Sequence, residues 1–425
     1  MKNGRQPWKV LASAIVISLL WSPEAAAQSS TDTIVRMAGA PVHRGIATLV
    51  EELSIGVADG AEELMIGNIT DMALGADGSI FAFDGQVPAI RHYGANGRFV
   101  RTIGRRGEGP GEYRVSSGIA VARSGNLLVW DTYGWRMVVY TPGGDHVGQW
   151  PTPSGSSGSS TSNFSRALQV DSDGRIVARK TIFDFQNPGN RQVAWIRYRE
   201  DGTVIDTLRA PEWKDPLEPL VAAAGGARVS MPVPFAPRRF ATLSPLGHFV
   251  TGYPARYAVE IHRPGQPVVS IRREVKLEPV SRAERNAERN RVFERMRRTD
   301  PQWDWNGPDI PDTKPLYGGL DVGLDGRIWV AVIPEVSQQG GGISFSFGGG
   351  RGAPTGRRSS RAPEGPPPAP ALYDVFEPDG RYLGQVRVPE KVSTVLRRGD
   401  HIWAIHLDED DVPRIKRYRI NWGNG

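Results

Sequence analysis

Six times along the chain a short apolar run meets a glycine-bearing turn and is answered by a second apolar run. The paired runs are 70–74 with 80–83, 118–121 with 127–130, 168–170 with 176–178, 240–243 with 249–253, 320–324 with 328–332, and 394–396 with 402–405. The turns between them read Ala76-Asp77-Gly78, Ser124-Gly125-Asn126, Ser172-Asp173-Gly174, Leu246-Gly247, Asp325-Gly326 and Gly399-Asp400. Glycine beside Asp, Asn or Ser adopts positive backbone angles at little cost, so each unit predicts a β-hairpin. A hairpin unit that returns every roughly forty residues or more restricts the chain to radial or solenoid architectures.

In the first five repeats a second hairpin follows, turning at Ala95-Asn96-Gly97, Pro142-Gly143-Gly144, Glu200-Asp201-Gly202, Pro264-Gly265 and Pro378-Asp379-Gly380. Four antiparallel strands per repeat make one propeller blade. The sixth repeat stops after three strands, at residues 414–420, and residues 47–55 supply the missing one. An N-terminal strand paired into the last blade leaves no open seam. The expected fold is therefore all-β, a six-bladed β-propeller of four-stranded antiparallel blades closed by its N-terminal strand. The composition agrees: Gly 50 and Pro 34 in 425 residues suit a turn-rich β chain.

The segment Ile103-Gly104-Arg105-Arg106-Gly107-Glu108-Gly109-Pro110-Gly111-Glu112-Tyr113 resembles the inter-blade linker of NHL-type six-bladed propellers. It is similar in particular to exported bacterial members of that group. The resemblance implies the fold, and a helical insertion before a late blade such as residues 281–299 offer here. It implies little about activity, because propellers host many.

Residues 1–27 read as a signal peptide. Lys2, Arg5 and Lys9 form a basic head, 10–21 an apolar stretch short for a bilayer, and Ala25-Ala26-Ala27 the cleavage site. The mature protein, residues 28–425, is expected in the periplasm or secreted, without a membrane span and as a monomer. N-terminal sequencing of envelope material should begin at or near Gln28, and Met1 on a cytoplasmic protein would overturn this reading. Removing 1–27 lowers the formal charge from +6 to +4, too mild to argue for nucleic acid. Cys 0 excludes disulfides, thiol nucleophiles and cysteine metal sites.

With the strands of a blade labelled a to d from the channel outward, every tight glycine turn is an a–b or c–d turn. Every long insertion is a b–c or d–a connection: 104–117, 151–165, 184–192, 211–237, 276–316 and 334–370. These two kinds of connection lie on opposite faces, and binding gathers where long loops sit on a rigid scaffold. Within the 276–316 insertion, between blades four and five, Ser281 and Glu284 form a capping box. Ala283, Ala287, Phe293 and Met296 form an apolar stripe, Glu294 pairs with Arg298, and Pro301 stops the helix. Trp303 and Trp305 are placed to pin it down. Residues 338–370 are too poor in apolar mass to fold and read as a disordered loop.

Aligned by their turns, the inner strands place Asp71, Arg166, Arg239 and Tyr317 at the channel mouth on the elaborated face, with Lys314 just upstream of blade five. Cations converging from separate repeats favour a carboxylate, phosphate or sulfate. A structural role, with the arginines bonding linker carbonyls, accounts for the same residues. Calcium-dependent lactonases of this fold need several carboxylate or amide ligands, and only Asp71 is so placed. Amidating lyases of similar pattern hold zinc with a histidine cluster, whereas His43, His92, His146, His248, His262, His401 and His406 fall away from the mouth.

The leading expectation is a non-catalytic exported propeller, needing no cofactor or metal, that binds a small anionic ligand or another envelope protein. A metal-dependent hydrolase or lyase of the lactonase or amidating-lyase type is the alternative. A cell-envelope scaffold is the third.

Overall fold

The structure, a computed structural model, describes residues 33–153, 166–183, 191–213, 217–332 and 371–423. The expected signal peptide and the 338–370 loop lie outside these residues. The described chain opens with β1 (Thr33–Met37) and β2 (Ile46–Ile55). A first meander sheet follows: β3 (Ile69–Leu74), β4 (Ile80–Asp84), β5 (Ala89–Tyr93) and β6 (Phe99–Ile103). The second is β7 (Ser116–Val121), β8 (Leu127–Asp131), β9 (Arg136–Tyr140) and β10 (His146–Pro151). The third is β11 (Leu168–Val170), β12 (Ile176–Phe183), β13 (Arg191–Tyr198) and β14 (Val204–Arg209).

A separate hairpin, β15 (Leu220–Ala224) with β16 (Ala227–Met231), precedes the fourth sheet. That sheet is β17 (Phe240–Leu243), β18 (Phe249–Tyr253), β19 (Ala258–His262) and β20 (Val268–Arg272). Helix α1 (Arg282–Arg297) comes next, then the fifth sheet: β21 (Tyr317–Val322), β22 (Ile328–Val332), β23 (Ala371–Phe376) and β24 (Tyr382–Val388). The sixth is β25 (Val392–Arg398), β26 (His401–Leu407) and β27 (Pro413–Asn421), with β2 as its fourth strand. A glycine in each tight turn read from the sequence holds a positive φ, from 57° at Gly399 to 95° at Gly380.

The first strands of successive sheets run round a closed circuit. β3 lies beside β7, β7 beside β11, β17 beside β21, and β25 beside β3. Gln169 on β11 donates to the Leu243 carbonyl on β17 (3.1 Å), and Arg397 on β25 pairs with Asp321 on β21. The core is divided accordingly, each apolar cluster filling the space between neighbouring sheets. Met72, Ile80 and Tyr93 meet Leu396, Ile405 and Ile415 where the last sheet rejoins the first. The thinnest such layer lies between the third and fourth sheets, where Val177, Trp195 and Leu243 are the buried members. The fold is all-β and propeller-like.

Residues 47–55 pair with β27 as the sequence predicts, from Thr48↔Asn421 to Ile55↔Ile415 with a bulge between Glu51 and Leu53. The strap is longer than expected. β1 adds in parallel to β20, the Val42 and His43 amides donate to the Tyr382 and Leu383 carbonyls of β24, and Ile46 and Ala47 pair in parallel with β24. One N-terminal arm thus crosses the outer edges of three sheets.

Candidate functional site

Two of the long connections fold together. The β15–β16 hairpin and the α1 insertion share a core of Leu220, Ala222, Val280, Val292, Met296, Trp303 and Ile310. The indole N–H of Trp303 donates to the Val221 carbonyl (2.8 Å) and that of Trp305 to the Pro308 carbonyl (2.9 Å). The capping box of Ser281 and Glu284 forms as the sequence predicts. Of the expected stripe, Met296 and Phe293 pack inward and the two alanines do not. Val292 and Met296 are buried while Ala283 and Ala287 face solvent, and the ion pair formed is Glu288 with Arg291 in place of Glu294 with Arg298. The surface that α1 meets is set by the hairpin, which the sequence reading left as loop. These two insertions flank the fourth sheet and make a cap on the d–a side.

Beneath the cap's side of the ring, the inner strands carry a charged chain. Asp71 on β3 accepts from the Met72 and Ile119 amides (both 2.8 Å), and Arg166 Nη2 lies 3.6 Å from its Oδ1. Arg166 also donates to the Met72 (2.7 Å) and Ile119 (3.1 Å) carbonyls, tying β3 to β7. Burial pushes the Asp71 carboxyl above its ordinary value, although Arg166 and the two amides pull it back. Asp321 on β21 is raised for the same reason, with Arg397 its main counter-charge and Arg166 a more distant one. The Arg397 guanidinium sits 4.8 Å from the Trp329 ring centre and 4.9 Å from that of Tyr373.

The predicted mouth residues do not form one set. Arg166 and Asp71 meet. Arg239 instead donates to the Pro211 carbonyl (2.7 Å) and lies 5.1 Å over the Trp213 ring, which packs on Tyr253 at 4.8 Å. Lys314 needs correcting: it is 8% exposed, and its ammonium pairs with Glu284 (2.9 Å) and Glu278 (3.4 Å). Against the cost of burial, Lys314 and the Ser281 cap hold the Glu284 carboxyl below its ordinary value. Tyr317 needs correcting too, for it is 0% exposed and its hydroxyl donates to the Ala258 carbonyl (2.8 Å) between the fourth and fifth sheets. Counting back from each turn identifies a strand level but not which way each side chain leans.

The sequence reading missed Asp321 and Arg397. Asp321 stands in the apolar run 320–324, and a lone carboxylate there was the available signal. Arg397 was passed over because it stands next to the Gly399-Asp400 turn, where Arg398 pairs with His401, at the opposite end of β25 from the level aligned.

Backbone strain gathers on the same side as the cap. Among the described residues, the non-glycine residues with positive φ are Trp135, Phe235, Lys391 and Asp411. Each lies in a b–c or d–a connection and none in an a–b or c–d turn. Such strain persists where the surroundings over-determine it, and it concentrates at functional sites. Among the described residues no three His, Asp or Glu side chains converge as a metal set. The histidines are dispersed: His92 stacks on Phe81 (4.3 Å), His43 on Trp422 (4.6 Å), and His248 is pushed down to about 4 chiefly by burial.

The linker motif has a structural role. Arg136 donates to the Glu108 (3.0 Å) and Glu112 (2.9 Å) carbonyls, Tyr113 to the Ile103 carbonyl and Tyr140 to the Gly111 carbonyl (both 2.9 Å). Gly104 is required because a Cβ there would stand 2.4 Å from the Tyr113 ring at a φ of +67°.

Residues 60–149 match a family model, DUF5128, described as a 6-bladed beta-propeller. No curated protein matches the chain. Solved structures similar to it include a Bacteroides fragilis protein designated as exported, at 11% identity and a TM-score of 0.47, covering 92% of this chain and 99% of that one. A duf4221 family member from Bacteroides vulgatus is similar at 10% identity and a TM-score of 0.47, covering 88% and 98%. Virginiamycin B lyase from Staphylococcus aureus is similar at 8% identity and a TM-score of 0.39, covering 86% and 98%. No helix among the described residues is long and apolar enough to cross a membrane.

Proposed function

We propose that the chain is an exported, NHL-like six-bladed propeller that binds a ligand or partner through its loop-rich face and performs no covalent chemistry. In this reading β2 is the outer strand of the last blade and the helical insertion lies between blades four and five. The observation that carries the proposal is the asymmetry of the two faces. One has glycine turns throughout, while the other holds the co-folded cap and the left-handed residues Trp135, Phe235, Lys391 and Asp411. Elaboration of one face of a rigid scaffold is what recognition uses.

Within that face the ligand is a small anion held by Arg166, which stands apart from Arg239. Arg166 supports this because its side chain stays 20% exposed beside Asp71 at the inner strands. Asp71 beside it sets orientation. Calorimetric titration with small carboxylates and phosphates tests the site. Wild type is expected to bind one of them, and Arg166→Ala to weaken binding by about one to two decades, the worth of one charge-assisted bond. Arg239→Ala, which removes a cation packed on Trp213 away from Arg166, should leave that binding unchanged. If no anion binds and Arg166→Ala melts far lower, that arginine belongs to the scaffold. Metal content after purification checks the alternative hydrolase or lyase reading.

A further inference from the structure

We propose that the turn joining β8 to β9, together with the linker before β7, is a docking site for an acidic segment of a partner protein. Tyr133 and Trp135 in this turn are 64% and 46% exposed, and Trp135 holds a φ of 57°. A bulky side chain is disfavoured in that region, and Gly134 next to it is needed for space, since a Cβ there would stand 2.2 Å from Asp131 Oδ2. The chain puts the strain on the tryptophan, which aims a large aromatic ring at solvent.

The turn is held in place. The Gly134 amide donates to Asp131 Oδ1 (3.0 Å), and the Trp135 carbonyl accepts from the Thr152 amide (2.7 Å). Arg136 fixes the linker alongside through the Glu108 and Glu112 carbonyls. A pre-ordered surface binds without the cost of ordering it. Val115 in that linker is exposed as well, which extends the apolar area.

The charges around the patch choose the partner. Arg105, Arg106 and Arg114 are exposed; Arg105 pairs with Glu112 (2.8 Å) and Arg114 with Glu108, which leaves Arg106 as the cation with no carboxylate against it among the described residues. Asp131 is fully buried, and Glu112 accepts from the Gly109 amide and from the exposed Arg105. Three arginines against two carboxylates leave a net charge of +1 on the patch, which favours a carboxylate-bearing partner over a basic one. Tyr, Trp and Arg are the side chains that carry most binding energy at protein interfaces. A flat anionic bilayer fits less well, because attraction to its surface grows with the number of cations brought near it and the patch carries little net charge. The site is separate from the channel arginines and rests only on the assignment of these connections to one face.

The probes are short synthetic peptides with a Leu-Phe centre flanked by Glu, the same peptides flanked by Lys, and phosphatidylglycerol vesicles. Fluorescence anisotropy should show the acidic peptide bound at least about tenfold more tightly than the basic one. Trp135→Gly should weaken it by about tenfold or more, and Tyr133→Ser likewise, as for interface anchors. Trp135→Gly should melt at the same temperature or a few degrees higher, because glycine accepts the angle that tryptophan resists. Arg166→Ala should leave peptide binding unchanged, which separates this site from the anion at the mouth. Equal binding of both peptides, unaltered binding by Trp135→Gly, binding to vesicles alone, or a large drop in the melting temperature of Trp135→Gly would each overturn the proposal.

Discussion

Deleting residues 29–55 from the mature chain is expected to leave no folded monomer. The deletion strips β2 from β27 and β24, and β1 from β20, so three sheet edges open at once. Unpaired edges template aggregation. The same cut removes Ile55 from the cluster joining the sixth sheet to the first and Ala47 from that between the fifth and sixth. These losses together exceed the roughly 5–15 kcal/mol by which domains are stable. Deleting residues 29–45 alone should be milder, because β1 is exposed along its whole length and β2 stays in place. Size-exclusion chromatography and thermal melts separate the two. A protein lacking 29–55 that elutes as a monomer and melts like the parent would refute closure by β2.

Asp374→Ala is expected to cost about 3–5 kcal/mol, as loss of one partner from a buried charged network does. Asp374 on β23 is 0% exposed and accepts from the hydroxyls of Tyr257 (2.7 Å) and Tyr382 (2.8 Å), from Gln385 Nε2 (3.0 Å) and from Arg273. The network clamps the fourth sheet to the fifth, and Arg273 adds a stacking contact 4.9 Å over the Tyr382 ring. Removing the carboxylate strands several donors and a cation. Asp374→Asn, which keeps an acceptor and the volume, should cost less. Urea unfolding of the two variants measures the difference, and a loss under about 1 kcal/mol for Asp374→Ala would show that the donors find other partners.

The hairpins were legible because their cause is local. A tight turn needs a positive φ within two or three residues, glycine supplies it, and the flanking apolar runs declare the strands. Closure by residues 47–55 was legible as well, through arithmetic alone: five complete repeats, one short by a strand, and an unassigned apolar run at the start. The capping box of α1 is again local, set by Ser281 and Glu284 three positions apart.

The cap was not legible. Residues 220–224 and 227–231 flank Gly225-Gly226, a hairpin signal passed over because it lay inside a segment assigned as loop. Which face of α1 would be buried depended on where that hairpin packed, so Ala283 and Ala287, good apolar candidates by spacing, ended in solvent. β1 carries no periodic signal, and only the free edge of β20 makes it a strand.

The candidate site divides the same way. The sequence by itself determined the strand meander, the turn faces and the strand level at which Asp71 and Arg166 would stand, because each follows from spacing along one chain segment. Only the tertiary structure decided which charges meet. Lys314 found Glu278 and Glu284, Tyr317 found the Ala258 carbonyl, and Arg397 found Asp321 across two sheets, since ion pairing depends on distances between segments that are far apart in the chain.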